Sequence, residues 1–115
     1  MLIGIGLRTN AAAAAQIADT LAGLGAGAIP VDLPFGSTHL LGLLPIVDRD
    51  LVVPWPRRTP SAPVAALRQR GIEAAFLPHE PDPRQHAAFN FVLLRTRRLL
   101  MAGGFSAMVD LFASP

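Results

Sequence analysis

Two side chains of this sequence occupy settings where their chemistry would matter. Arg8 ends an apolar run, Leu2 to Leu7, and is followed by Thr9, Asn10 and the alanines of residues 11–15. Where a strand gives way to a helix, unpaired N–H groups and the positive end of the helix dipole meet at one corner. A guanidinium beside that corner adds a planar, bidentate donor for a carboxylate or phosphate. The corner is suited to hold an anion; the plainer alternative is that Arg8 is a solvated loop residue. Thr9 and Asn10 are both helix-capping types and would support it. His39 follows Ser37-Thr38 and precedes an apolar stretch. There an imidazole either works as a general acid or base near neutral pH or sits half-buried as a structural residue.

Other candidates are weaker on chemistry. Gly4 and Gly6 match the first half of a dinucleotide-binding G-x-G-x-x-G, but Thr9 stands at the third glycine position, and Arg8 fills the turn that should admit a pyrophosphate. His79 and His86 lie near Glu80 and Asp82 in a proline-rich loop, at a spacing that matches no metal-ligand motif. No metal and no cofactor is expected. Asn90, polar inside an apolar strand, needs a hydrogen-bond partner wherever it is buried. Trp55, between two prolines, is either a packing anchor or an exposed interaction residue. The chain has 0 cysteines, so a disulfide, a thiolate metal site and a cysteine nucleophile are excluded within it.

The elements that would position these residues follow from periodicity and turn chemistry. Leu2 to Leu7 reads as a buried strand whose Gly4 and Gly6 mark the close approach of another backbone or a ligand. Ala11 to Leu24 reads as a helix with Ile17, Leu21 and Leu24 at helical spacing, closed by Gly25 and Gly27. Ala28 to Val31 is a short second strand. His39 to Val47 is strand-length, Asp48-Arg49-Asp50 a turn, Leu51 to Val53 a returning strand, and Pro54-Trp55-Pro56 its close. Ser61 caps a helix that carries Pro63 in its first turn and runs to Arg70, with Gly71 as its stop. Ile72 to Leu77 is the next strand, and Pro78 to His86 is irregular. Ala88 to Leu94 and Arg98 to Ala102 are strands about a turn, followed by an amphipathic helix from Phe105 to Phe112. Strand, turn, strand, helix, strand thus occurs in full over 39–77 and again over 88–115 without its last strand. A partial unit precedes them at 1–31. A period just under about fifty residues is a repeat signature.

Bulk properties set the frame. At 115 residues, 51% hydrophobic and 16% charged, the chain is one small α/β domain able to bury a core. Its ten basic residues are all arginine and mostly scattered, and the net charge is +2, so no nucleic-acid partner is expected. A mean hydropathy of +0.42 raises the membrane question. The longest uncharged stretch, Leu33 to Val47, holds His39, prolines and glycines and falls short of the roughly 18–20 apolar residues a bilayer needs. No membrane partner is expected. Met1 leads directly into the first strand without a basic signal region, which makes the cytoplasm the expected location.

Taken together, IGIGLRTNAAAAAQIADTL, STHLLGLL, AAFNFVLL and RRLLMAGG resemble the dimethylarginine dimethylaminohydrolases of the amidinotransferase, or pentein, superfamily. The resemblance implies an incomplete pentein-type α/β propeller, about two to two and a half of five strand-strand-helix-strand units around a polar pocket. It implies that Arg8 grips the α-carboxylate of a guanidino amino acid, that Thr9 and Asn10 support it by capping the helix, and that His39 is catalytic. Family chemistry attacks the guanidinium carbon with a cysteine thiolate, expels a methylamine with a proton from the histidine, and hydrolyses the thiouronium to citrulline. Phe89-Asn90-Phe91 departs from the family pattern, in which a cysteine or small residue often follows the asparagine. By the same resemblance, the guanidinium-binding carboxylates would lie upstream of Met1 and the nucleophile downstream of Pro115. The chain is therefore expected to be a C-terminal-half portion of such a hydrolase, inactive alone. Two alternatives stand beside it: a non-catalytic binding module that keeps the carboxylate corner, and a fragment of a related arginine deiminase or amidinotransferase. Incomplete units leave open strand edges, through which a second copy or a complementing chain could pair.

Overall fold

A computed structural model describes residues 1–77, 89–96, 98–101, 103 and 113. Within them the fold is mixed α/β, with two α-helices and seven strands. The first sheet pairs β1 (Leu2–Ile5) in parallel with β2 (Ile29–Asp32), Leu2 opposite Ile29 and Ile5 opposite Asp32. Helix α1 (Ala11–Gly23) makes the crossover between them, as parallel neighbours require. β1 stops two residues before the expected Leu7. The last ladder bond runs from Leu33 N–H to the Ile5 carbonyl, after which the Gly6 N–H turns to the Thr9 carbonyl at 2.8 Å.

Alanine's high helix propensity explains α1, and Asn10 caps it: its side chain accepts the Ala13 N–H at 2.8 Å. At the other end Gly25 adopts φ +76, while the Gly25 and Ala26 N–H groups bond the Ala22 and Leu21 carbonyls. That is a Schellman close, which a side chain at Gly25 would strain. The face that α1 turns inward differs from the expected one. Ala14 is buried, with Ala18 and Leu21 half-buried on the same stripe, whereas Ile17 is 41% and Leu24 78% exposed. Small alanines let the helix lie close against β1, and this places the larger residues outside.

The second sheet holds β3 (Ile46–Asp48), β4 (Leu51–Val52) and β5 (Glu73–Ala74), antiparallel then parallel. Here the strand expected from His39 to Val47 is replaced over most of its length. A 3₁₀ turn spans Leu40–Gly42, because the Leu40 carbonyl accepts both the Leu43 and Leu44 N–H groups. Beyond it Leu43 and Pro45 still lie alongside the returning chain, their carbonyls accepting Trp55 N–H at 2.7 Å and Val53 N–H at 3.1 Å. Pro45 has no N–H to give back, so the ladder becomes regular only at Ile46.

Helix α2 (Ser61–Arg68) connects β4 to β5 and buries Pro63, Val64 and Leu67. Its cap position is Pro60, without a side-chain hydrogen bond, so Ser61 is the first helical residue and not the expected cap. The helix ends at Arg68, two residues short of the expected Arg70; Gly71, at φ +76, closes the turn that follows, the Ile72 N–H bonding the Leu67 carbonyl at 3.1 Å. The following strand is shorter than the expected Ile72 to Leu77. A third sheet is the antiparallel hairpin of β6 (Phe91–Arg95) and β7 (Arg98–Met101). Asn90 precedes β6 instead of lying inside it. The expected loop over 78–86 and the helix over 105–112 lie outside the described residues.

Two apolar clusters join these layers. Leu43, Val47, Val53, Trp55, Leu77, Phe89 and Phe91 pack the second sheet onto the hairpin, and Leu44, Val52 and Leu67 pack α2 with Leu2 and Ile29 of the first. Trp55 is 2% exposed, which settles its role as a packing anchor. No helix among the described residues is long and apolar enough to cross a membrane.

Candidate functional site

The site is built on the segment between β2 and the 3₁₀ turn. The Ser37 N–H bonds the Pro34 carbonyl at 3.0 Å and Gly36 takes φ +84, the glycine requirement of a type II turn. This turn buries Ser37 and leaves Thr38 and His39 exposed, His39 on extended backbone. Behind the segment, residues 54–59 double back. The Arg58 N–H bonds the Pro56 carbonyl at 2.8 Å and the Thr59 N–H bonds the Trp55 carbonyl at 3.1 Å. Thr59 Oγ1 donates to the Leu43 carbonyl at 2.8 Å. Arg57 enters this bend at φ 61, a left-handed conformation that a side chain adopts at a cost of roughly 1–2 kcal/mol.

The bend brings Arg58 over Trp55, its guanidinium carbon 5.6 Å from the ring centroid. Trp55 in turn stacks on Phe89 with centroids 4.9 Å apart and planes at 23°. Arg58 Nη2 donates to Ser37 Oγ at 3.3 Å. Around these groups lies a cavity of about 290 Å³ lined by Gly36, Ser37, Thr38, His39, Gly42, Leu43, Arg58 and Asn90. An imidazole, a guanidinium, two hydroxyls and a primary amide therefore share one concavity. Such a set can donate hydrogen bonds to an anion or carbonyl and can move a proton at the imidazole.

Arg8 sits outside that lining. It is exposed in the bend between β1 and α1 and has no ion-pair partner among the described residues. The two regions nevertheless adjoin. A side chain on Gly4 would come within 3.2 Å of Leu40 Cβ, and one on Gly6 within 3.3 Å of Leu33. The atoms nearest these glycines are thus leucine side chains of the His39 segment, not the backbone of another strand. Thr9 contributes its carbonyl to the bend, and Asn10 is the helix cap. Arg58 and Ser37 carried no signal as site residues in the sequence, where Arg58 is half of an Arg-Arg pair and Ser37 a turn residue. An arginine three positions after a proline-flanked tryptophan is the pattern that could have marked the stack. Among the described residues no group of three His, Cys, Asp or Glu side chains could hold a metal.

No protein-family model and no curated protein matches the chain. Solved structures do. DDAH from Pseudomonas aeruginosa, a cysteine-to-serine mutant complexed with citrulline, superposes at TM-score 0.73 and 20% identity over 97% of this chain and 40% of that one. A dimethylarginine dimethylaminohydrolase adduct with 4-chloro-2-hydroxymethylpyridine superposes at TM-score 0.69 and 20% identity, over 97% of this chain and 41% of that one. The chain spans about 40% of the length of these solved chains. At that identity the likeness is one of fold: the two helices and seven strands match part of the pentein fold.

Proposed function

We propose that this chain carries the carboxylate-binding arginine and the proton-transferring histidine of a dimethylarginine dimethylaminohydrolase-like site. The single observation that supports this most is the fold likeness, over 97% of the chain, to an enzyme complexed with citrulline. In this reading Arg8 pairs with the α-carboxylate of an N-ω-methylated arginine, and Asn10 holds the helix end that presents it. His39 gives a proton to the departing methylamine as a thiolate bonds to the guanidinium carbon. Water then adds to that carbon, the thiolate leaves, and citrulline results. The thiolate must come from outside these 115 residues, which contain 0 cysteines. Removal of the nucleophile costs a hydrolase about 10⁶ in rate, so the chain alone is silent.

The missing thiol also favours a second reading, a binding module that keeps the carboxylate corner without chemistry. Two measurements test these readings. The purified chain incubated with dimethylarginine is expected to release no citrulline above a His39→Ala control; release above it overturns the silence. Calorimetry is expected to give binding of dimethylarginine and arginine and none of NAD. Tight NAD binding with none for the arginine analogues overturns both readings.

A further inference from the structure

Among the described residues, the lining of the His39 cavity holds one guanidinium and no carboxylate. Arg58 is half-buried, and a cation withdrawn from water is disfavoured until something compensates it. Among the described residues its guanidinium meets only a neutral hydroxyl, Ser37 Oγ at 3.3 Å, and a neutral ring, Trp55 at 5.6 Å. A guanidinium has five N–H donors, and the contact to Ser37 uses one. The contact with the buried Trp55 ring and the bond to Ser37 restrain the guanidinium in advance, which lowers the ordering cost of a bound ligand.

We propose that the cavity formed by Arg58, Ser37, Thr38, His39 and Asn90 binds a small carboxylate, held by the Arg58 fork. One planar cation matches the two oxygens and single charge of a carboxylate. Ser37, Thr38 and Asn90 supply neutral donors around it, and His39 lines the same space. The site shares His39 with the proposed function but is built on Arg58 and not on the Arg8 corner, and the argument for it does not depend on the guanidino amino acid reading.

The test is an amide-shift titration of the ¹⁵N-labelled full chain with sodium propionate, at constant ionic strength set by sodium chloride. Saturable shifts are expected at Ser37, Thr38, His39 and Asn90. In Arg58→Gln the affinity should fall at least about tenfold, the loss of a charge-assisted hydrogen bond. Arg58→Lys, which keeps the charge and loses the fork, should fall about threefold or more. If Arg58→Gln does not fold, Arg58→Lys decides. Non-saturating shifts, or equal affinity in Arg58→Lys and the parent, overturn the proposal. Inorganic phosphate binding more tightly than propionate overturns the carboxylate assignment. Dimethylarginine binding without a propionate effect overturns this site and leaves the proposed function standing; the opposite result does the reverse.

Discussion

At the scale of single residues, Trp55 connects stability to the site. It is 2% exposed, stacks on Phe89 at 4.9 Å and carries Arg58 at 5.6 Å. Trp55→Ala is expected to cost about 3–5 kcal/mol, a large part of the roughly 5–15 kcal/mol that holds a small domain together. Urea unfolding measures it, and a loss below about 1 kcal/mol would contradict the anchor role. Arg57 makes the opposite prediction. Its φ of 61 is a conformation glycine adopts freely, so Arg57→Gly is expected to stabilise the chain by up to about 1 kcal/mol in the same assay. No change or a loss would show that the arginine side chain offsets its backbone strain. The Arg8 corner and the turn before His39 were legible in the sequence because each depends on local chain grammar, whereas the strand expected to open at His39 gives way to a 3₁₀ turn. Arg58 was not legible, because its hydrogen-bond partner Ser37 is remote in sequence and meets it only through the bend after Trp55.

At the scale of elements, the helix ends separate readable from unreadable signals. Asn10, Gly25 and Gly71 act as their types suggest, because a cap is decided within a few residues. Ser61 is also a capping type, yet Pro60 takes the cap position and Ser61 begins the helix. Asn10→Ala is therefore expected to cost about 1 kcal/mol and Ser61→Ala less than about 0.5 kcal/mol, measured by thermal unfolding. A larger loss at Ser61 would restore it as the cap. Strand lengths were less readable. The apolar run from His39 to Val47 looks like a strand, but Pro45 withholds an N–H and Leu40 closes a turn with Leu43 and Leu44. The inward stripe of α1 departs from hydrophobic size for a related reason. Of Ile17, Leu21 and Leu24 only Leu21 lies on it, half-buried, and Ala14 is its buried residue.

At the scale of the molecule, the hairpin shows what periodicity alone conveys. Phe91, Leu99 and Met101 face the core, while the paired Val92 and Leu100 on the other face are 58% and 60% exposed and Leu94 is 56% exposed. A strand that is apolar on both faces is the pattern of one covered on both, and an exposed apolar patch attracts other apolar surfaces. Enhanced fluorescence of a hydrophobic dye is expected with the parent chain and a marked decrease with Val92→Ser/Leu100→Ser; equal signals would contradict an accessible face. The α/β class and the order of the elements were readable from strand, turn and capping signals. The division into three small sheets was not, because pairing partners are set by packing between distant segments. In the proposed function Arg8 and His39 serve one ligand from two adjoining segments. Titration of the ¹⁵N-labelled chain with citrulline tests this most directly. The predicted result is one shared saturation curve for amides of residues 6–10 and 36–39, with affinity lowered about tenfold or more in Arg8→Ala. Shifts confined to one segment, or affinity unchanged in Arg8→Ala, would contradict it.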